Sequence, residues 1–182
     1  MTEGVVLWGS NNIFHVQPWD REDPPVDRAL PQAVECRLKG KQLSGNARGY
    51  NALAPGDTVR FTPEGESGTH GLIEERLERR NEFVRWNRKR NAVQTIAANL
   101  DLLIAVASPV EPPFRPRFID RVSVAAELEE IPFAVILNKS DQGVPEEVEE
   151  RLRAFESLGY PVLRTSVPRE RGIEALEELI HR

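Results

Sequence analysis

The chain of 182 residues contains one cysteine, one methionine, two tyrosines and three histidines. With Cys36 alone, no disulfide can close within these residues and no thiolate zinc site can be assembled. Cys36 reads as a small buried hydrophobe. His15, His70 and His181 are scattered without ligand spacing, so no metal site is expected. No apolar run approaches the roughly 20 residues of a membrane span, and Met1-Thr2-Glu3 leads into no basic-then-apolar signal pattern. A cytoplasmic protein without a membrane partner is expected, and the lack of a heptad or long apolar stripe favours a monomer.

What is present divides unevenly. The composition is 40% hydrophobic and 29% charged with a net charge of -5, enough for one large domain or two small ones. Residues 1–100 carry 14 basic and 13 acidic side chains, and residues 101–182 carry 10 and 16, so the two halves face different partners.

The hydrophobic period also changes along the chain. Runs at 5–7, 13–16, 33–38, 58–61 and 72–74 are short, alternate, and are separated by Gly, Asn and Pro. Five such strands predict a small closed barrel of the OB type, a fold whose face commonly binds RNA. Residues 20–31, rich in proline and charge, predict a mobile loop. Further on, apolar runs at 102–107, 133–137 and 161–165 alternate with helical patterns at 117–130, 145–158 and 172–180. In the first helix Ile119, Val122 and Ala126 recur at helical steps, with Ala125 and Leu128 widening the stripe. Val148, Leu152 and Phe155 line the second. This order predicts a parallel sheet with right-handed crossovers and a ligand site at the carboxyl ends of its strands. The fold class is therefore an N-terminal all-β barrel at 1–90 followed by a partial α/β domain at 91–182.

At the end of the buried run 133–137 stands Asn138-Lys139-Ser140-Asp141. A carboxylate at such a corner accepts two hydrogen bonds from the N1-H and 2-amino group of guanine, a donor pair that adenine does not present. Charge-assisted bonds of about 1.5–3 kcal/mol each make Asp141 the base-selecting group. Asn138 would brace neighbouring loops and touch the ring N7, and the Lys139 stem would lie along the base. Thr165-Ser166-Val167 ends the next strand. Its backbone N-H groups are candidates for the guanine 6-oxo group, and the Ser166 hydroxyl is a candidate to steady Asp141. The phosphate loop Gly-x-x-x-x-Gly-Lys-Ser/Thr is absent. The nearest match, Gly40-Lys41, has Glu35 where the first glycine belongs and Gln42 where the hydroxyl belongs. No Asp-x-x-Gly for a magnesium-linked switch occurs either, so no catalytic residue is assigned and these residues by themselves are expected to be inactive in phosphoryl transfer.

Residues 76–90 hold seven basic side chains against Glu78 and Glu82, with Phe83 and Trp86 interleaved. Guanidinium groups neutralise phosphates and exposed aromatics stack on unpaired bases, so Arg79, Arg80, Arg85, Trp86, Arg88, Lys89 and Arg90 are candidate RNA contacts. The alternative is a solvated hinge with Phe83 and Trp86 packed inward.

The order of barrel, strand and helix, base motif and Thr165-Ser166-Val167 resembles the circularly permuted GTPases of the RsgA (YjeQ) family, the ribosome small-subunit-dependent GTPases. The resemblance covers essentially the whole chain and includes Gly56-Asp57-Thr58-Val59, Arg79-Arg80-Asn81 and Ala98-Asn99-Leu100-Asp101. It implies a P-loop-GTPase-like second domain whose base motifs precede the phosphate loop, so that Arg182 falls just ahead of that loop and the chain is truncated. It also implies a parent that hydrolyses GTP to GDP with magnesium, acts in late maturation of the small ribosomal subunit, contacts its rRNA, and carries zinc in a later segment. No cofactor is expected to bind tightly to the present residues. Val167 stands where the family more often has alanine, and its methyl groups are expected to crowd the base pocket. The alternative of a different class is a non-enzymatic RNA-binding module with a vestigial nucleotide domain.

Overall fold

Alternation between apolar and polar residues produces the barrel in the computed structural model, which describes residues 1–19, 33–39, 51–65 and 68–181. The strands are β1 (Thr2–Ser10), β2 (Ile13–Pro18), β3 (Val34–Leu38), β4 (Thr58–Glu64) and β5 (His70–Arg76). They close in the order β1-β2-β3-β5-β4, with β4 returning to pair with β1. All pairs are antiparallel except β3 with β5, where Glu35 to Leu38 run beside His70 to Ile73. The inward positions Val6, Val16, Val34, Cys36, Val59, Phe61 and Ile73 pack with Leu53 into one core. Each such side chain contributes about 1.5–3 kcal/mol relative to exposure. The loop expected at 20–31 and the Gly40-Lys41 dipeptide lie outside the described residues.

The basic segment is neither barrel nor hinge. It forms a β-hairpin of β6 (Glu82–Asn87) and β7 (Ala92–Ala98), which folds with the barrel in the compact unit Met1–Leu100. A boundary at 90/91 falls inside its turn, and the second unit begins at Asp101. The hairpin is tied down by buried polar groups. Asp57, fully buried, accepts from Arg79 Nε (2.7 Å) and Nη2 (2.8 Å) and from the Ala54 N-H (2.8 Å). Arg79 Nη1 reaches Glu82 and donates to Thr95 Oγ1 at 3.1 Å, joining the turn before β4 to both hairpin strands. Asn51 clamps Thr95 from the other side through its N-H (3.0 Å) and carbonyl (2.9 Å). Gly56, at φ 87°, sits where a Cβ would lie 2.0 Å from the Ala98 carbonyl oxygen, so only glycine permits this close approach of the turn to β7.

The second unit, Asp101–Arg182, is the parallel arrangement its periodicity predicts. Strands β8 (Leu103–Ala107), β9 (Phe133–Leu137) and β10 (Val162–Arg164) lie in the order β10-β9-β8, all parallel. Helices α1 (Pro116–Leu128), α2 (Glu146–Ser157) and α3 (Ile173–Ile180) follow them in turn. β9 is buried at every residue, as an uninterrupted apolar central strand should be. α1 buries Ile119, Val122, Ser123 and Ala126, and α2 buries Val148, Leu152 and Phe155. Leu128 does not widen the α1 stripe: it is 78% exposed in the last turn, while Ser123 takes a buried place with its hydroxyl satisfied by the Asp120 carbonyl at 3.0 Å. Among the described residues no helix is long and apolar enough to cross a membrane.

Candidate functional site

The carboxyl ends of β9 and β10 bring the base-motif residues together. Asn138 leaves β9 with its N-H bonded to the Ala107 carbonyl (2.9 Å), which holds it to the end of β8. Thr165 N-H donates to the Leu137 carbonyl (2.9 Å), and the Thr165 hydroxyl donates to Asn138 Oδ1 (3.2 Å). Lys139 adopts a left-handed backbone at φ 61° and turns the chain into a 3-10 turn, Ser140–Gln142. Its Nζ donates to the Glu111 carbonyl (2.8 Å), which lays the stem across the corner. The Ser140 N-H donates to the Thr165 carbonyl (3.0 Å), so the two motif loops are stitched through backbone as well as side chains.

Ser166, fully buried, donates its hydroxyl to Asp141 Oδ1 at 2.5 Å. That bond is the main cause holding the Asp141 carboxyl below its usual range. Partial loss of solvent opposes it, and the Asp141 backbone N-H and the Arg169 charge assist. The carboxylate is therefore ionised and oriented, with the aspartate itself exposed at the rim.

Of the three backbone N-H groups offered by Thr165-Ser166-Val167, two are consumed inside the fold. Thr165 bonds to Leu137, and Ser166 exchanges bonds of 3.0 Å in both directions with Arg171. The N-H of Val167 has no hydrogen-bond partner among the described residues, so the donor available to a ligand narrows to that one group. Gly172, at φ 71°, closes this loop where a Cβ would lie 2.4 Å from the Arg164 carbonyl oxygen. The Val167 side chain is 65% exposed.

The basic candidates separate into two groups. Arg79 is an interior residue: four of its guanidinium N-H bonds go to Asp57, Glu82 and Thr95, so it builds the fold and its charge is already paired. Arg80 is exposed but is bonded to Asn99 through its backbone N-H (2.8 Å) and Nη2 (3.2 Å). Arg85, Trp86, Arg88, Lys89 and Arg90 all lie on the exposed outer half of the hairpin, with Trp86 56% exposed opposite Val93. Asn87 Oδ1 accepts from the Lys89 (3.1 Å) and Arg90 (3.2 Å) N-H groups and shapes the tip.

A further aromatic pair was not read from the sequence. Trp8 stacks on His15 with ring centroids 4.6 Å apart and 22° between planes, on the outer face of the barrel, with Trp8 51% exposed. Strict alternation from buried Val6 sends Trp8 inward. A bulge between Val6 and Trp8 reverses its direction, so that Trp8 faces His15 across the strands. Among the described residues no group of three or more His, Cys, Asp or Glu is placed to hold a metal ion.

Comparison with known proteins bears on both units. The family model for the RsgA GTPase matches residues 76–182. A small ribosomal subunit biogenesis GTPase RsgA from Borrelia recurrentis (strain A1) is 36% identical over 175 residues, which are 96% of this chain and 52% of that protein. The protein of the same name from Chlorobaculum parvum is 39% identical over 155 residues, 81% of this chain and 49% of its own length. The crystal structure of YjeQ from Thermotoga maritima superposes with a TM-score of 0.67 at 26% identity, covering 98% of this chain and 56% of that one. YloQ, described as a circularly permuted GTPase, gives a TM-score of 0.60 at 24% identity over 92% of this chain and 52% of its own, a likeness of fold. The chain thus spans about half the length of the curated relatives it matches.

Proposed function

The chain belongs to the RsgA GTPase family, and we propose that its second unit selects the guanine base of GTP or GDP while its first unit binds ribosomal RNA. The observation that carries the base assignment is the Ser166 hydroxyl bonded to Asp141 at 2.5 Å, beside the unused N-H of Val167. Asp141 accepts from N1-H and the 2-amino group, and the Val167 N-H donates to the 6-oxo group. Asn138 braces the two loops, and Lys139 lies along the ring. Adenine presents neither the donor pair nor the oxo acceptor, and discrimination follows from leaving the Asp141 carboxylate and the Val167 N-H without partners against the bound base.

The residues present suit the base and do not suit the phosphates. No glycine-rich phosphate cradle occurs in the sequence, and no carboxylate cluster for magnesium occurs among the described residues. GTP hydrolysis with magnesium is a property proposed for the whole protein, as is zinc binding, for which the described residues offer no ligand set. Without phosphate contacts, base binding is expected in the millimolar range or weaker, about 4 kcal/mol.

The hairpin tip and the Trp8–His15 stack support rRNA of the small ribosomal subunit as the partner of the first unit. Cations at the tip release counterions from phosphates, and an exposed ring pair stacks an unpaired base. Action as a monomer in the cytoplasm, in late small-subunit maturation, completes the reading.

The test is an NMR titration of the isotopically labelled chain with guanosine, inosine and adenosine. Guanosine should shift the amides of Asn138 to Gln142 and of Val167, inosine should do so more weakly for want of the 2-amino group, and adenosine should leave them in place. Equal shifts with adenosine would overturn the base assignment.

A further inference from the structure

We infer that the start of α1 carries a second, separate surface for single-stranded RNA, built from Arg115, Arg117 and Arg121 around Phe118. Nothing in the base site or the hairpin uses these residues. Phe118 is 56% exposed, and the three arginines around it are exposed as well. Together with Phe114 and Pro116 they line a shallow concavity of about 550 Å³.

What sets this place apart is that three arginines without an ion pair among the described residues gather around one exposed ring; Arg169 and Arg171 also lack an ion pair among those residues. Residues 101–182 carry 16 acidic side chains against 10 basic ones, so an arginine there has acids to pair with. Arg151 pairs with Asp120, Arg153 with Glu146, and Arg164 with Glu149 and Glu156. The guanidinium groups of Arg115, Arg117 and Arg121 have no hydrogen-bond or ion-pair partner among the described residues. The first turn of α1 contains no acid, and Asp120, the first acid within α1, is held by Arg151. An acidic unit thus leaves three cations unpaired around one exposed ring.

The ligand follows from what such a surface recognises. Arg117 and Arg121 lie one helical turn apart, about 6 Å along the axis, on the side of α1 that carries Phe118. Guanidinium groups at that spacing neutralise successive phosphates, and the ring between them stacks a base released from pairing. A duplex keeps its bases inside and cannot use the ring, so a single strand is the form that engages both components. This surface goes beyond the barrel and hairpin reading, and either stands if the other fails.

The experiment is fluorescence anisotropy of the full chain with a short fluorescein-labelled oligouridylate, across a salt series. It is run in an R85A/R88A/K89A/R90A background that removes the hairpin cations, with circular dichroism melts to confirm folding. Phe118→Ala should weaken binding about 5- to 150-fold, the equivalent of one lost base stack, and Phe118→Trp should hold or strengthen it. Arg117→Ala with Arg121→Ala should lower the salt slope by about 1.4, the value for two phosphates of a single strand. Unchanged affinity and slope in both variants would overturn the proposal. So would duplex RNA binding as tightly without dependence on Phe118, or polyglutamate displacing the oligouridylate in a Phe118-dependent way, which would assign the surface to an acidic protein.

Discussion

Ser166 donates its hydroxyl to Asp141 across 2.5 Å although the two residues belong to successive strand ends separated by all of α2. The bond takes one lone pair of Oδ1 and orients the carboxylate, leaving Oδ2 and the remaining acceptor site of Oδ1 to a ligand. It also keeps the group ionised: the Asp141 carboxyl lies below its ordinary value of 3.8, chiefly because of that hydroxyl.

The sign of the resulting pH dependence is determined by that shift. A depressed carboxyl favours its bound and folded form above the ordinary value and loses that advantage only as pH falls through the lower folded value. Guanosine-induced amide shifts should therefore persist as pH drops past 3.8 and disappear further down. In Ser166→Ala the loss should begin at higher pH and neutral-pH binding should weaken several-fold, both measured by NMR titration.

Arg79 and Asp57 make a different prediction, one of stability. Each is nearly or fully buried; removing Arg79 strips Asp57 of the guanidinium that holds it, and removing Asp57 leaves Arg79 with Glu82 alone as counter-charge. Asp57→Ala or Arg79→Ala should each cost about 3–5 kcal/mol in urea unfolding, and the double variant less than the sum of the two.

RNA binding should separate Arg79 from the hairpin tip. Replacing Arg88, Lys89 and Arg90 by alanine should reduce the salt slope for single-stranded RNA by about 0.7 for each phosphate no longer neutralised, while Arg79→Met should lower stability and leave the slope unchanged. Trp86→Ala should weaken binding by about 1–3 kcal/mol, measured by anisotropy.

Cys36 reports on the barrel. Burial pushes its thiol up to about 11, with the neighbouring charges of Glu35 and Glu64 adding to the effect. In the unfolded chain the thiol ionises from about 9, so the folded barrel should lose stability as pH rises from there toward 11. At neutral pH the thiol should resist iodoacetamide until urea unfolds the barrel, a rate followed by mass spectrometry.

The parallel sheet was legible because its apolar runs are uninterrupted and its helices carry clear stripes, as at Ile119, Val122 and Ala126. The meeting of Asn138 to Asp141 with Thr165 and Ser166 was legible because both segments stand at the ends of successive apolar strands. The hairpin was not, since Arg85, Arg88, Lys89 and Arg90 drew attention to charge and a bulge between Phe83 and Val84 breaks the alternation that marks a strand. Arg79 looked like its exposed neighbours because only the fold brings Asp57, 22 residues away, against its guanidinium. Trp8 was missed for a local reason: one bulged residue reverses every side chain after it, and nothing in the run Val5-Val6-Leu7-Trp8 announces the bulge. The single free N-H of Val167 became visible only once the bonds of its two neighbours were counted.

The barrel is sealed where segments distant in the chain meet, β1 against β4 and, in parallel register, β3 against β5. Hairpins such as β1-β2 and β6-β7 pair neighbours in the chain and can form within microseconds, whereas this closure must bring distant segments together before any pairing offsets the entropy of ordering them. Sealing the barrel should therefore set the pace of folding for the first unit. Until it happens β3 and β5 each present a bare edge to solvent, and that interval is when one copy of the chain is most open to strand exchange with another.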